Sequence, residues 1–293
     1  MKKRLTTFDA VVYLLLAIFS LLCLVPLLNT LAISFSDRTS AAAGKVYFWP
    51  VNFTVAAYKE MLKDRQFFVS FGVSVVRVII GTVIHLAFSV PMAYALSRPK
   101  SVFRARNIYM WLVVFTMLFN GGLVATYIWI KDMGMVDTMW ALTLPWAVQV
   151  YNVIVLMNFM KGLPKELEEA ALIDGSNPLN TLLKIIVPLS MPSIATITLL
   201  CVIGYWNDYF TGRIYINSPS KLPLQTYIYA LSTEMSAATL VGLTPEEIVA
   251  KMKVSSLTFN CAKVVIATIP VLLIYPWLQK YFVKGLVMGA VKG

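Results

Sequence analysis

Leu163-Pro164-Lys165-Glu166-Leu167-Glu168-Glu169-Ala170-Ala171-Leu172-Ile173-Asp174-Gly175 is the most polar passage between two long apolar segments of the chain. Pro164 suits the first turn of a helix, where its missing N–H costs nothing. Glu166, Glu168 and Glu169 fall in the first turns, where the helix dipole favours anions. Leu163, Leu167, Ala170, Ala171 and Asp174 recur at helical spacing, so one side is small and apolar. Gly175 suits a left-handed stop. Asn177-Pro178 then reads as the cap and first residue of a second helix that ends near Pro188. Short helix, glycine corner and second helix make a rigid knob between two membrane segments.

The spacing within that knob is specific. Glu169-Ala170-Ala171, three residues, Gly175, nine residues, Ile185, one residue and Val187-Pro188 resemble the EAA loop of ABC-importer permeases. Val187 stands where that family usually has leucine. The resemblance implies a coupling helix at about 161–187 that docks on a cytoplasmic ATPase subunit. The docking residues it implies are Glu168, Glu169, Ala170, Ala171, Leu172, Asp174 and Gly175. The plainer reading of the same residues is an amphipathic helix pair lying on the membrane.

Composition sets the class. Hydrophobic residues make up 59% of the 293 residues, against about 45–50% for soluble domains, which marks an integral membrane protein. The formal charge of +11 is explained by basic residues flanking membrane spans rather than by nucleic-acid binding. Cys23, Cys201 and Cys261 lie in or beside apolar runs without paired spacing, so neither a disulfide framework nor a metal site is expected. Met1-Lys2-Lys3-Arg4 could open a signal peptide, and Ala41-Ala42-Ala43 could mimic a cleavage site. The apolar run from Ala10 to Phe35 is too long for a signal core, so it reads as an uncleaved first span.

Six spans are expected, at about 10–35, 69–96, 108–130, 139–160, 188–210 and 262–282, in one transmembrane domain covering 1–293. Arg98, Lys100, Arg104 and Arg106 lie between spans two and three, whereas only Lys131 is basic between three and four. The positive-inside rule puts the 97–107 loop in the cytoplasm, and with it both termini and the Glu169 loop. The long loops at about 36–68 and 211–261 then face outward. In the second, Thr244-Pro245-Glu246-Glu247 has the spacing of a capping box opening a helix to about Val254. That helix reads as contact with an outer partner or as a lid on the spans.

Ionisable groups inside a span usually face a bundle interior or a water-filled cavity. In span two, Ser70, Ser74, Arg77, Gly81, His85 and Ser89 share one helical face, with valine, isoleucine and leucine opposite. This face is either a wall of a translocation path or a helix-packing surface of small residues. An unpaired buried guanidinium is too costly to keep, so Arg77 needs an acidic or carbonyl partner, or an anionic solute. Asp208 is the nearest candidate acid in the chain, and a second subunit or the solute are the other sources. In span three, Asn120-Gly121-Gly122 should break the helix.

Two further stretches carry the resemblance. Phe119-Asn120-Gly121-Gly122-Leu123 to Thr126-Tyr127 resembles one subgroup of carbohydrate permeases, in which proline tends to stand where Ala125 is, so a softer kink is expected here. Trp206-Asn207-Asp208-Tyr209 resembles the Trp-Asn-acid-aromatic signature of carbohydrate-uptake permeases, and Tyr275-Pro276 with Gln279 to Gly285 resembles the end of the same subgroup. The resemblance covers most of the chain from Asn120 on. It implies an all-α, type I importer permease of a bacterial plasma membrane, of the maltose-permease kind. Its implied partners are a second, similar permease, two cytoplasmic ATPases, an extracellular or periplasmic solute-binding protein reached through the 211–261 loop, and an oligosaccharide solute, acidic ones included. Candidate path residues are Arg77, His85, Asn120, Gly121, Asn207 and Asp208.

The chain has no G-x-x-x-x-G-K-[ST] phosphate loop, and with one histidine and no G-x-S-x-G it has no nucleophile–base set. No catalysis, cofactor or metal is therefore expected of it. A secondary transporter would show inverted repeats or mid-membrane coupling charges, and a channel a symmetric selectivity element. Neither reading accounts for the Glu169 loop.

Overall fold

The computed structural model describes residues 7–233 and 257–290 and contains only helices and connecting segments among them. Three helices are long and apolar enough to cross a membrane alone: α1 (Thr7–Ser34), α4 (Arg65–Ser97) and α15 (Leu257–Ala290). Three bent pairs bring the number of possible spans to six. These are α5 (Arg106–Leu118) with α6 (Gly122–Asp132), α7 (Met139–Thr143) with α8 (Val150–Lys161), and the segment Pro178–Leu189 with α12 (Met191–Asn207). Short helices α2 (Arg38–Ala42) and α3 (Ala56–Met61) follow α1, and α13 (Phe210–Tyr215) and α14 (Leu224–Thr233) follow α12. The helix expected at Thr244–Val254 lies outside the described residues.

The third span differs from its expectation. Instead of a softly kinked helix over 108–130, α5 and α6 meet at 111°. The cause is local. Gly122 has φ +80°, and its N–H donates to Asn120 Oδ1 at 2.7 Å, so the side chain closes a turn that ends α5. No proline is needed for a sharp break. The fourth span bends by 47° at a 3-10 turn, Leu144–Trp146, that contains Pro145. The second knob helix runs past Pro188 to Leu189 before an 81° bend into α12.

The chain divides into two compact units. One comprises the described residues of Met1–Phe67 and Ile228–Pro270, the other those of Phe68–Tyr227 and Val271–Gly293. In the first, buried Lys263 donates to Asp64 Oδ2 at 2.7 Å and lies 4.0 Å from the centre of the Phe259 ring. Asp64 Oδ1 also accepts from Phe67 N at 3.2 Å, so one carboxylate both caps α4 and neutralises the lysine.

In the second unit the apolar core joins Ala93 and Leu96 of α4 to Val153, Leu156 and Met160 of α8 and to Ile194 and Ile197 of α12. The polar face of α4 also points inward. Ser70, Ser74, Arg77, Gly81, His85 and Ser89 are buried, whereas Val75, Val76, Ile79, Val83 and Phe88 are exposed. Lipid tails are as apolar as leucine, so packing, hydrogen bonds and close approach hold such a bundle. Gly81 provides the close approach, since a Cβ there would stand 2.5 Å from Cζ of Tyr205. Gly81→Ala therefore overpacks the α4–α12 contact and is expected to lower stability by about 1–3 kcal/mol. Thermal unfolding of the solubilised protein reads this, and unchanged unfolding would show that Tyr205 moves aside freely.

On another face of the same unit, Asp137 holds φ +60° and clamps the segment after α13. Its carboxylate accepts from Ser218 Oγ at 2.6 Å, from Ser218 N at 2.9 Å and from Lys221 Nζ at 3.0 Å. These bonds, the Ser218 hydroxyl foremost, hold its carboxyl well below the usual range.

Candidate functional site

The knob is built as its residues demand. Helix α9 (Glu166–Ile173) carries Glu166, Glu168 and Glu169 in its first turn. It closes with Gly175 at φ +74°, where Gly175 N donates to Leu172 O at 3.1 Å and Ser176 N to Ala171 O at 2.9 Å. This pair of bonds is a Schellman cap, which satisfies carbonyls that the helix end leaves free. Asn177 then caps α10 (Pro178–Thr181), its Oδ1 accepting from Asn180 N at 2.8 Å. A π-helical turn, Leu182–Ile186, and α11 (Val187–Leu189) complete the second arm. At the bend that follows, Ser190 Oγ is buried without a hydrogen-bond partner among the described residues.

Of the residues implied to dock, Glu169, Ala170, Leu172, Asp174 and Gly175 are exposed. Ala171 is buried in the angle of the knob, and Glu168 forms an ion pair with Arg98. Arg98 follows α4 and lies 4.5 Å from the centre of the Tyr94 ring, with its Nε 3.1 Å from Ser97 Oγ. The ion pair ties the end of α4, at the start of the basic 97–107 loop, to the knob within the second unit. Ile173, 85% exposed, was passed over in the sequence, as were exposed Leu179 and Leu183. Leu172-Ile173 stand off the small apolar side of α9, and that was the available signal. Apolar side chains clustered on a polar excursion mark a protein interface.

The second cluster centres on Arg77. Its guanidinium donates from Nε to Leu142 O at 3.3 Å, from Nη1 to Asp208 O at 3.0 Å, and from Nη2 to Thr211 Oγ1 at 2.7 Å and to the Asp208 carboxylate. The acid partner thus comes from within the chain. Asp208 is used on every side, because its Oδ1 also accepts from Phe210 N at 3.0 Å and from Thr211 N at 3.2 Å, capping α13. Tyr205 donates to Thr143 O at 3.2 Å beside the guanidinium.

Two turns along α4, His85 Nδ1 lies 3.1 Å from Ala147 O, which can only accept, so Nδ1 carries the proton. Nε2 then accepts from Asn152 Nδ2 at 3.2 Å, and the same amide lies 3.6 Å from Cys201 Sγ. Arg77 and His85 are therefore fully buried within the unit, and Asp208 is half-buried. Asn120, Gly121 and Asn207 are exposed, the first two at the α5–α6 break and the third at the end of α12. The described residues hold no cluster of three or more metal-ligating side chains.

The second unit thus turns the polar face of α4 inward and carries a helix–glycine–helix knob at its surface. The chain belongs to the family described as the binding-protein-dependent transport system inner membrane component, which it matches over residues 73–287. It is 39% identical to the polygalacturonan/rhamnogalacturonan transport system permease protein YtcP of Bacillus subtilis (strain 168), with all of both chains covered. It is 38% identical to the protein LplC of the same organism, over 98% of this chain and 95% of that one. Among solved structures it resembles a chain of a bacterial ABC transporter involved in the import of the acidic polysaccharide alginate. That match has a TM-score of 0.83 and 34% identity, over 94% of this chain and 96% of the other. The chain is thus a multi-pass inner-membrane transport component with the type I importer permease fold.

Proposed function

We propose that this chain, as a single permease domain, admits acidic, uronate-containing oligosaccharides to the cell. It pairs with a second permease of similar fold, above two cytoplasmic ATPase subunits and below an outer solute-binding protein. The observation that carries the substrate class is likeness along the whole chain to permeases of two different acidic-polysaccharide systems, one named for polygalacturonan and rhamnogalacturonan and one for alginate. In this reading the ATPase receives the knob through Leu172 and Ile173 together with Glu169, and both termini share its cytoplasmic face. Exposed Asn120, Gly121 and Asn207 face the solute path. Arg77, His85 and Asp208 support that path from behind, because their polar atoms are already engaged inside the subunit.

The test is uptake by proteoliposomes holding the complete transporter. An oligogalacturonate and a neutral oligosaccharide of equal length are offered with the binding protein. Faster, ATP-dependent uptake of the acidic chain is the expected result, and preference for the neutral chain would overturn the substrate assignment.

A further inference from the structure

The segment between α1 and α3 is a closed loop with an aromatic tip. Its ends meet where Thr54 N donates to Phe35 O at 2.9 Å, and Val51 N donates to Ser36 Oγ at 3.0 Å. Phe35 stacks on Phe53 with ring centres 5.5 Å apart, and Ala32, Ala41 and Val46 form a small core beneath. A loop so tied is a preformed platform. It holds Tyr47, Phe48 and Trp49 outward, at 69%, 54% and 80% exposure, beside exposed Lys45. Three consecutive exposed aromatics are unusual for a surface meant for water.

Their depth is set by one side chain. Asn29 of α1 uses both amide hydrogens, donating to Val46 O at 3.2 Å and to Tyr47 O at 2.8 Å. The loop is thereby folded back along α1 instead of standing beyond its end. Asn29 lies about 7.5 Å along the axis before Ser34, the last residue of α1. The 28 residues of α1 extend about 42 Å, some 12 Å more than a 30 Å hydrocarbon core. Shared between the two ends, that excess leaves Asn29 about 1.5 Å inside the hydrocarbon boundary. Tyrosine, tryptophan and a flanking lysine favour that boundary, where rings meet the acyl chains and polar ends reach the headgroups. Among the described residues the most hydrophobic window of α1 carries no buried residue, and exposed Leu21, Leu22, Leu24, Val25 and Leu28 give the helix a surface suited to acyl chains.

We propose that Lys45, Tyr47, Phe48 and Trp49 form a rigid anchor in the headgroup region of the bilayer, its depth fixed by Asn29. The platform then holds the end of α1 at constant depth.

The complete transporter in lipid nanodiscs tests this. A nitroxide is attached through Trp49→Cys in a Cys23→Ser background, since Cys201 and Cys261 are buried. Collisions with oxygen, which partitions into lipid, are compared with those of a water-soluble nickel chelate. The label is expected to fall between one at Leu21→Cys, near the middle of α1, and one at Lys100→Cys in the 97–107 loop, with an oxygen-to-nickel ratio several-fold above the latter. Adding Asn29→Ala should move it toward the aqueous value. An aqueous value at position 49 in the parent would overturn the anchor. So would shielding from both reagents, which would assign the aromatics to a partner subunit. A lipid-like value unaffected by Asn29→Ala would overturn the role given to Asn29.

Discussion

Arg77→Met is expected to destabilise the subunit by about 3–5 kcal/mol, because it strands a carboxylate whose cation has gone. Arg77 is fully buried and donates to Leu142 O, Asp208 O, Thr211 Oγ1 and the Asp208 carboxylate. Methionine fills similar volume and makes none of these bonds. The measurement is the yield and thermal unfolding of the complete complex in detergent. Arg77→Lys separates structure from recognition, since it keeps charge and loses the planar fork. With the guanidinium spent inside the chain, uptake of acidic and neutral oligosaccharides should fall in equal proportion. A selective loss of the acidic solute would mean that Arg77 meets it.

Ile173→Asp is expected to disconnect ATP hydrolysis from transport while leaving the subunit folded. Ile173 is 85% exposed and Leu172 65%, so a charge there costs the isolated chain little. In a docked complex the same charge would be buried against apolar surface. Loss of a central contact of this kind is worth on the order of 2 kcal/mol, or about 30-fold in affinity for the ATPase subunits. Gly175→Pro should reach the same end by another route. Proline cannot take φ +74° and removes the N–H that bonds Leu172 O, so the corner of the knob opens. Co-purification of the ATPase subunits and solute-stimulated hydrolysis are the readouts. Normal stimulation in Ile173→Asp would remove the knob from the docking interface.

What could be read from the sequence depended on the range of the interaction involved. The knob was legible because its proline, acidic first turn and left-handed glycine act within a few residues. The long apolar runs were legible because bilayer thickness dictates their length. The α5–α6 break was expected at the right residues, yet not its 111° angle, since one φ at Gly122 and one bond from Asn120 decide it. The 47° bend at Pro145 went unread inside an apolar run that looked continuous. Asp208 could be named as a candidate for Arg77, but the side of α4 it approaches is a tertiary fact. Lys263 escaped notice because it stands at the edge of an expected span, where lysines are ordinary. The contact of Asn29 with Tyr47 spans 18 positions and has no local signature.

The way α12 is fastened has a mechanical consequence. The helix is 17 residues long, about 25 Å, and runs from the Ser190 bend to Asn207. It is riveted to α4 at three heights, by Asp208 on Arg77, by the Tyr205 ring against Gly81, and by Cys201 through Asn152 to His85. Such a pair behaves as a stiff crank rather than as two rods that slide. Compliance is left to the lower joint, where a π-helical turn and a buried hydroxyl without a partner among the described residues precede the bend. Torque applied below that joint would turn the crank as one piece, and its far end would swing Asn207 through the largest arc.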